Sequence, residues 1–499
     1  MAITPNPPGT INTPNSPTAE SAGAVQAPND PTAQAAVAIN TPNSPTAESA
    51  GTINTPNSPT AESAGAIQAP NDPTALGAGV IPRTLVPTLN LDFASGLYAQ
   101  NGTPKTQDEL ITFSRGSTGS FLNRQKDANN DWQYFVDSAT NDALRFEYDA
   151  ATGESLGALI EGGSSNLCLR SEEFDHVDWT ETNATITAND TKSPDLSTSA
   201  DKYSSNATTD QVLTVLQTIT GLTASTPYTI SLYAKRAEVS VLQVLFTTGH
   251  VSNDPIVNFD LSTGAIGSQD VDIDSASIVP VGADWYRISA TVTTVGTSLG
   301  CALSAKKSAS AIWGANESWT AGEGLYIWGA QVEQQEAATS YIKTTSAPVA
   351  RAKDDAVSDM SFPGNQITMA VDALSKRGSV AIAELSKGAT GSDRINAYRD
   401  NDNIFVFMEA GNVHIVNEDT GVDFVDGVPN KIAIVLNTNS FQAYIDGTIE
   451  FTDVSIVPPV GLTRLNIGQR FDNTEPYYGH IKQLKIYDKA LTAQEVALL

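Results

Sequence analysis

Between Ile11 and Ile67 the chain restates one pattern every 14 residues, and no other feature constrains its N-terminal part as tightly. Copies begin at Ile11, Val25, Ile39, Ile53 and Ile67, Ile81 falls in phase, and Ile3 opens a shorter relative. Each runs β-branched apolar, Asn or Gln, Thr or Ala, Pro, Asn, Ser or Asp, Pro, Thr, Ala. The copies from Ile39 and Ile53 are identical over 13 residues. A flexible Pro/Ala/Thr linker is the plain alternative, but a linker needs composition and not phase, so the repetition points to a repeat architecture. Within a unit, proline forces an extended predecessor. Ser44-Pro45 and Asp72-Pro73 read as an N-cap with proline at the first helical position, and Gly51 or Gly65 as the residue closing the turn. The expected unit is therefore an extended segment plus one short helical turn. Alone it buries too little apolar surface to fold. Intertwined chains solve this: in a homotrimer, Ile11, Val25, Ile39, Ile53 and Ile67 would meet on the axis. Fully extended, the five copies reach at most roughly 250 Å.

The rest is long enough for two to four domains at about 100–200 residues each. Only 17% of the 499 residues are charged, against roughly 25% in ordinary soluble domains. Thr, Ser, Asn, Gly and Ala fill the gap, which suits β-rich and fibrous structure. A net charge of −28 repels phosphate backbones and argues against nucleic acid as a partner. Cys168 and Cys301 are too few for a disulfide framework. His176, His250, His414 and His480 are too scattered for zinc, and no metal or cofactor is expected. The N-terminus has neither a basic region nor an apolar run, so no secretory signal is expected. No apolar stretch nears the ~20 residues of a membrane span, so membrane insertion is not expected either. The reading is a protein made soluble in a cytoplasm, with any extracellular role following release by lysis or another route.

Beyond residue 85, runs of five to eight alternating or apolar residues are punctuated by Gly, Pro, Asn and Ser, as an antiparallel sandwich requires. Asp127, Asn129 and Asp131 imitate the opening of a calcium loop, but lack its glycine and distant glutamate; a hairpin turn is the better reading. Lys431–Leu436 and Phe441–Gly447 read as a hairpin. Thr492 with Glu495 reads as the capping box of a short final helix. The fold class is mostly β: a repeat-built fibrous N-terminal stalk, then antiparallel β-sandwich (jelly-roll) domains. The boundaries are 1–85 for the stalk, 86–165 for a small β-rich adaptor, 166–352 for one sandwich and 358–499 for a second.

An ordered set of motifs carries a resemblance. It includes Leu91-Asp92-Phe93, Ile111-Thr112-Phe113-Ser114-Arg115-Gly116, Arg145-Phe146, Asn166-Leu167-Cys168-Leu169-Arg170-Ser171-Glu172-Glu173-Phe174, Asp284-Trp285-Tyr286-Arg287 and Trp328-Gly329-Ala330-Gln331-Val332-Glu333. Together these resemble a module recurrent in tailed-phage structural proteins, in which an adaptor leads into a carbohydrate-binding-module-like jelly roll. Leu465–Arg470, Tyr478–Tyr487 and Lys489–Val496 are similar to the concanavalin A-like, laminin-G-type lectin domain. The resemblance implies a non-catalytic bacteriophage virion fibre or spike presenting lectin-like sandwiches to a host-surface glycan; the phased stalk adds a homotrimer held to other virion proteins through its repeats. Alternatives are a head decoration fibre with a mainly structural role and a polysaccharide depolymerase spike.

Sugar contacts are expected on loops. Gln469–Tyr478 joins Arg470, Asp472, Tyr477 and Tyr478, which suit hydroxyl hydrogen bonding and pyranose stacking; packing of the tyrosines on their own sheet is equally open. Trp313 and Trp319 are a second candidate platform, whereas Trp285, Trp328 and Tyr233 fall in strand patterns and should be core. For hydrolysis, two facing carboxylates are needed. The nearest pattern, Glu173-Phe174-Asp175-His176-Val177-Asp178, ends in Asp and lies in the jelly-roll segment as an expected entry strand, so no catalytic residue is assigned.

Overall fold

The computed structural model describes residues 85–499 except 248–253, 363–364, 377, 390 and 401; before residue 85 it describes only the backbone of short strands. Contacts divide the chain into two units, 1–86 and 87–499.

In the first unit, Thr10–Asn12, Ala24–Gln26, Ile39–Asn40, Ile53–Asn54 and Ile67–Gln68 form one parallel sheet. Thr18–Ala19, Thr32–Ala33, Thr46–Ala47 and Thr60–Ala61 form another. The register runs Ile11, Val25, Ile39, Ile53, Ile67 within one chain, so each repeat pairs with the next. This corrects the expected helical turn: the Thr-Ala pair after Ser-Pro is strand. A parallel ladder between coils satisfies its backbone groups, which a lone helical turn leaves open. The side chains proposed for a trimer core lie outside the described residues.

The second unit is nearly all β, with two short helices among the described residues, Gln107–Leu110 and Ala493–Val496. Both carry capping boxes: the expected Thr492–Glu495 and, unread in the sequence, Thr106–Glu109. Its first layer pair is a sandwich. One sheet centres on Tyr478–Tyr487, flanked by Leu89–Asp92, Ile367–Ser375 and Ser155–Glu161. The other orders Thr112–Ser114, Asp355–Phe362, Leu462–Ile467, Val380–Ser386, Arg394–Asp400, Asn403–Ala410 and Val413–Asp423. Leu89, Leu91, Ile111, Ala158 and Ile160 share one core with Ile382, Leu385, Ile395, Met408, Leu465 and Ile486. The 86–165 segment is thus no separate adaptor. Its alternating Leu89-Asn90-Leu91-Asp92 needs a sheet to cover its apolar face, and the C-terminal sandwich supplies it.

The jelly roll is inserted between these parts, entered and left through the paired strands Ser164–Asn166 and Val349–Arg351. Its two six-stranded sheets enclose Phe174, Tyr203, Tyr228, Phe246 and Phe259. Glu173–Asp178, expected as an entry strand, is instead a run of turns, with Phe174 buried and the carboxylates of Glu173 and Asp178 on Arg170. Asp127 Oδ1 accepts from the Asn129 and Asp131 amides at the tip of the hairpin Gly119–Lys126/Trp132–Ala139, as the turn reading expects. That hairpin packs Val136 and Leu122 against Tyr233, Trp285, Trp328 and Tyr341, so the three strand aromatics are core, as expected.

Where the pieces join, charge is buried. Arg145, fully buried, donates through Nη1 to Glu161 Oε2 at 2.9 Å, Ser340 Oγ at 2.7 Å and Ser120 O at 3.0 Å, and through Nη2 to Asp354 Oδ2 at 2.6 Å. Arg115 reaches Asp354 Oδ1 at 3.2 Å, and Arg351 lies 3.4 Å from Glu161.

Candidate functional site

The outward face of the seven-stranded sheet is built by period-two alternation. In Arg394-Ile395-Asn396-Ala397-Tyr398, Ile395 and Ala397 enter the core while Arg394, Asn396 and Tyr398 project from the other side. Strand register assembles these into rows. One is Asn466, Glu384, Asn396, Phe407, Asn417; the next is Arg464, Ser386, Arg394, Glu409, His414; a third is Tyr398, Phe405, Asp419.

Arg394 organises the middle. It donates to Glu409 Oε2 from Nε at 3.1 Å and Nη2 at 3.0 Å, reaches Glu384 Oε2 at 3.4 Å, and sits 4.4 Å over Phe407 and 5.1 Å from the Phe471 ring centroid. Phe471 roofs this cluster, its amide donating to Glu384 Oε1 at 2.7 Å. Gly391 makes room for it: its φ is +64°, and a Cβ there would stand 2.2 Å from the ring. Burial, only partly offset by Arg394, pushes the Glu384 carboxyl up to about 7.

Toward solvent the face turns aromatic. Tyr398 and Phe405 stack at 5.2 Å with a 30° interplanar angle, and Tyr398 Oη donates to Asn417 Oδ1 at 2.7 Å. Burial, then Asp400 and Glu475, pushes that hydroxyl up to about 12, so it stays a donor. Asn403 Nδ2 meets Asp419 Oδ2 at 2.7 Å beside it. His414, two-thirds exposed, lies edge-on to Phe407 at 5.1 Å. Rings half open to solvent, ringed by amides and carboxylates, suit a pyranose: the rings take its C–H face and the polar groups its hydroxyls.

The residues expected from the sequence divide. Arg470 and Asp472 stand at the rim of this face: Arg470 Nη1 binds Glu475 Oε1 at 2.6 Å, and Asp472 Oδ1 caps Thr474. Tyr477 is wholly buried in the sandwich core, a correction to its assignment as a sugar contact; its ring fills space behind the loop. Tyr478 turns toward the jelly roll, where its Oη accepts from Gln335 Nε2 at 3.2 Å. Trp319 is also corrected: it is 3% exposed and its Nε1 donates to Gln211 O at 3.0 Å. Of the two candidate tryptophans, Trp313 is the one that stays open, at 37%. Tyr398, Phe405, Arg394 and Asn417 were not singled out from the sequence, although the alternation in Arg394–Tyr398 and Phe405-Val406-Phe407 carries the signal. No cluster of three metal-ligating side chains occurs among the described residues. Nor, among them, is any helix long and apolar enough to cross a membrane.

The model of the concanavalin A-like lectin/glucanases superfamily matches residues 356–497. The C-terminal part is a concanavalin A-like, laminin-G-type lectin domain. Its sandwich extends beyond the match, since strands from 89–161 complete the sheets. No curated protein matches the chain. Among solved structures, domain 4 of the extracellular arabinanase AbnA from Geobacillus stearothermophilus, in complex with arabinotriose, is 14% identical, with a TM-score of 0.26, covering 33% of this chain and 82% of that one. A putative carbohydrate binding protein from Bacteroides ovatus is 10% identical (TM-score 0.22; 55% and 79% covered). Domains LG4-5 of the mouse laminin alpha1 chain are 12% identical (TM-score 0.22; 58% and 90% covered).

Proposed function

We propose that the chain is a non-catalytic bacteriophage fibre or spike subunit that attaches the virion to host-surface glycan through its lectin-type domain. The observation that carries the attachment reading is the Tyr398–Phe405 stack, set among Asn417, Asp419 and the Arg470–Glu475 rim on one sheet face. The phased repeats and the ordered motifs between residues 88 and 350 support the virion reading. In it the chain is a homotrimer, anchored to other virion proteins by its N-terminal repeats, with the lectin domain outward. Against the depolymerase alternative, Glu384 is the sheet-face carboxyl with the pKa of a general acid, yet it is fully buried beneath the Phe471 amide. A general acid must come within hydrogen-bond reach of the glycosidic oxygen, and the Glu384 oxygens are taken by the Phe471 amide and Arg394.

The test is host-cell adsorption by the purified protein, comparing Tyr398→Ala and Arg470→Ala with wild type. Loss of adsorption at an unchanged melting temperature supports the reading. Adsorption retained by both variants removes the sheet face from attachment and favours the decoration fibre. Release of reducing ends from host polysaccharide would overturn the non-catalytic assignment.

A further inference from the structure

The unit 87–499 holds a cleft of about 400 Å³ that the sheet-face reading does not use. It opens where the turn Ser117–Ser120, the hairpin strand around Asp137 and the jelly-roll residues Trp328, Tyr341 and Lys343 converge. We propose that this cleft is a second binding site, for a small neutral hydroxyl-rich ligand of mono- or disaccharide class.

Its size falls at the lower end of the roughly 300–1,000 Å³ typical of small-molecule sites. Its walls are fixed before any ligand arrives. Tyr341 Oη donates to Glu172 Oε1 at 2.9 Å, Lys343 Nζ holds Glu172 Oε2 at 2.6 Å, and Ser120 Oγ donates to Tyr341 O at 2.6 Å. The Trp328 indole N–H is taken by Ser199 Oγ at 2.9 Å, and the Trp328–Tyr341 pair, 4.8 Å apart, is buried beneath the cleft as a rigid floor. Asp195 spends Oδ1 on Ser193 and Ser197, leaving Oδ2 without a donor among the described residues. Lys343 is 61% exposed with a single carboxylate partner, so it keeps donors to give.

The ligand class follows from these groups. Asp137, Glu172 and Asp195 outnumber Lys343 and Arg351, which disfavours an anion. A purely apolar occupant would strip water from carboxylates without replacing their hydrogen bonds. A polyol gives hydroxyl protons to Asp195 and accepts from Lys343.

Saturation-transfer NMR on the full chain, with glucose, galactose, mannose, N-acetylglucosamine, maltose and lactose as probes and glucuronate as the anionic control, tests the proposal. At least one neutral sugar should show transfer. Its affinity should fall tenfold or more in Thr118→Trp, which fills the cleft from its rim, and at least fivefold in Asp195→Asn. The titrations are read in the Tyr398→Ala background as well as in wild type, so that the sheet face does not contribute to the fitted affinity. The proposal is overturned if no neutral sugar shows transfer, if Thr118→Trp binds as wild type does, if Tyr398→Ala abolishes the signal, or if glucuronate binds more tightly. Failure here leaves the adsorption result untouched, since that experiment reads a different face.

Discussion

Replacing Arg145 with methionine probes the joint between the sandwich and its insertion. The guanidinium is fully buried and makes four charge-assisted bonds, two of them to the carboxylates of Glu161 and Asp354. Removing it leaves both carboxylates buried. Among the described residues, Glu161 then retains Arg351 at 3.4 Å and Asp354 retains Arg115 at 3.2 Å as ion-pair partners. Breaking a buried pair from one side costs about 3–5 kcal/mol. At about 2–4 °C per kcal/mol for domains of 150–250 residues, the melting midpoint should fall by roughly 6–20 °C. Burial opposes ionisation of Glu161, yet Arg351 and Arg145 hold its carboxyl well below the usual range. A depressed folded pKa stabilises above the unfolded carboxylate range and is lost as pH falls through the folded value. The gap between wild type and Arg145→Met should therefore be widest at neutral pH and narrow steadily in acid. Adding Glu161→Gln and Asp354→Asn removes these carboxylates but strands the buried guanidiniums of Arg351 and Arg115, so it should not recover the loss. Differential scanning calorimetry between pH 3 and 8 reads all three. A single-variant change within the about ±0.5 kcal/mol of ordinary surface substitutions would refute the reasoning.

Glu384 titrates in the opposite sense: with its folded pKa raised to about 7, it favours the folded state in acid and loses that contribution as pH rises from the ordinary carboxylate range through 7. Glu384→Gln should therefore gain stability relative to wild type at pH 8 compared with pH 5, read by melting at both. Tyr477→Ala should lose about 3–5 kcal/mol, as large aromatic truncations in cores do, whereas Arg470→Ala at the loop rim should melt with wild type. Changing Ile39, Ile53 and Ile67 together to Asp should dissociate a homotrimer while the sandwiches stay folded; a monomer mass for the unmodified protein in native mass spectrometry would end that proposal.

The sandwich was legible wherever period-two alternation and turn residues coincide, as at Lys431–Ile445 and in the Thr492–Glu495 cap. The topology was not. Leu89-Asn90-Leu91-Asp92 announces a strand with one apolar face, but nothing local says that its partner lies almost 400 residues away, beside Tyr478–Tyr487. The burial of Tyr477 and Trp319 was equally hidden. A loop that curls back onto its own sheet has the same composition as one that opens to solvent, and only the space behind it decides. The repeat was visible because phase is a property of the sequence alone. Its conformation depends on whether the backbone groups find partners in the next repeat or in another chain, and composition is silent on that choice.

The position of Leu89–Asp92 also has a mechanical meaning. This strand is the first sheet element after the repeats, and it is wedged between Leu97–Gln100 and Tyr478–Tyr487, bonded to both. A tension drawn through Pro87 must shear two ladders at once before the sandwich yields. The jelly roll hangs outside that line of force. Its two connections, Ser164–Asn166 and Val349–Arg351, leave side by side, so a pull along the chain closes the circuit through the sandwich. The load therefore falls on the ladders of the sandwich, while the insertion meets it through side-chain contacts such as the joint at Arg145 and Ser340.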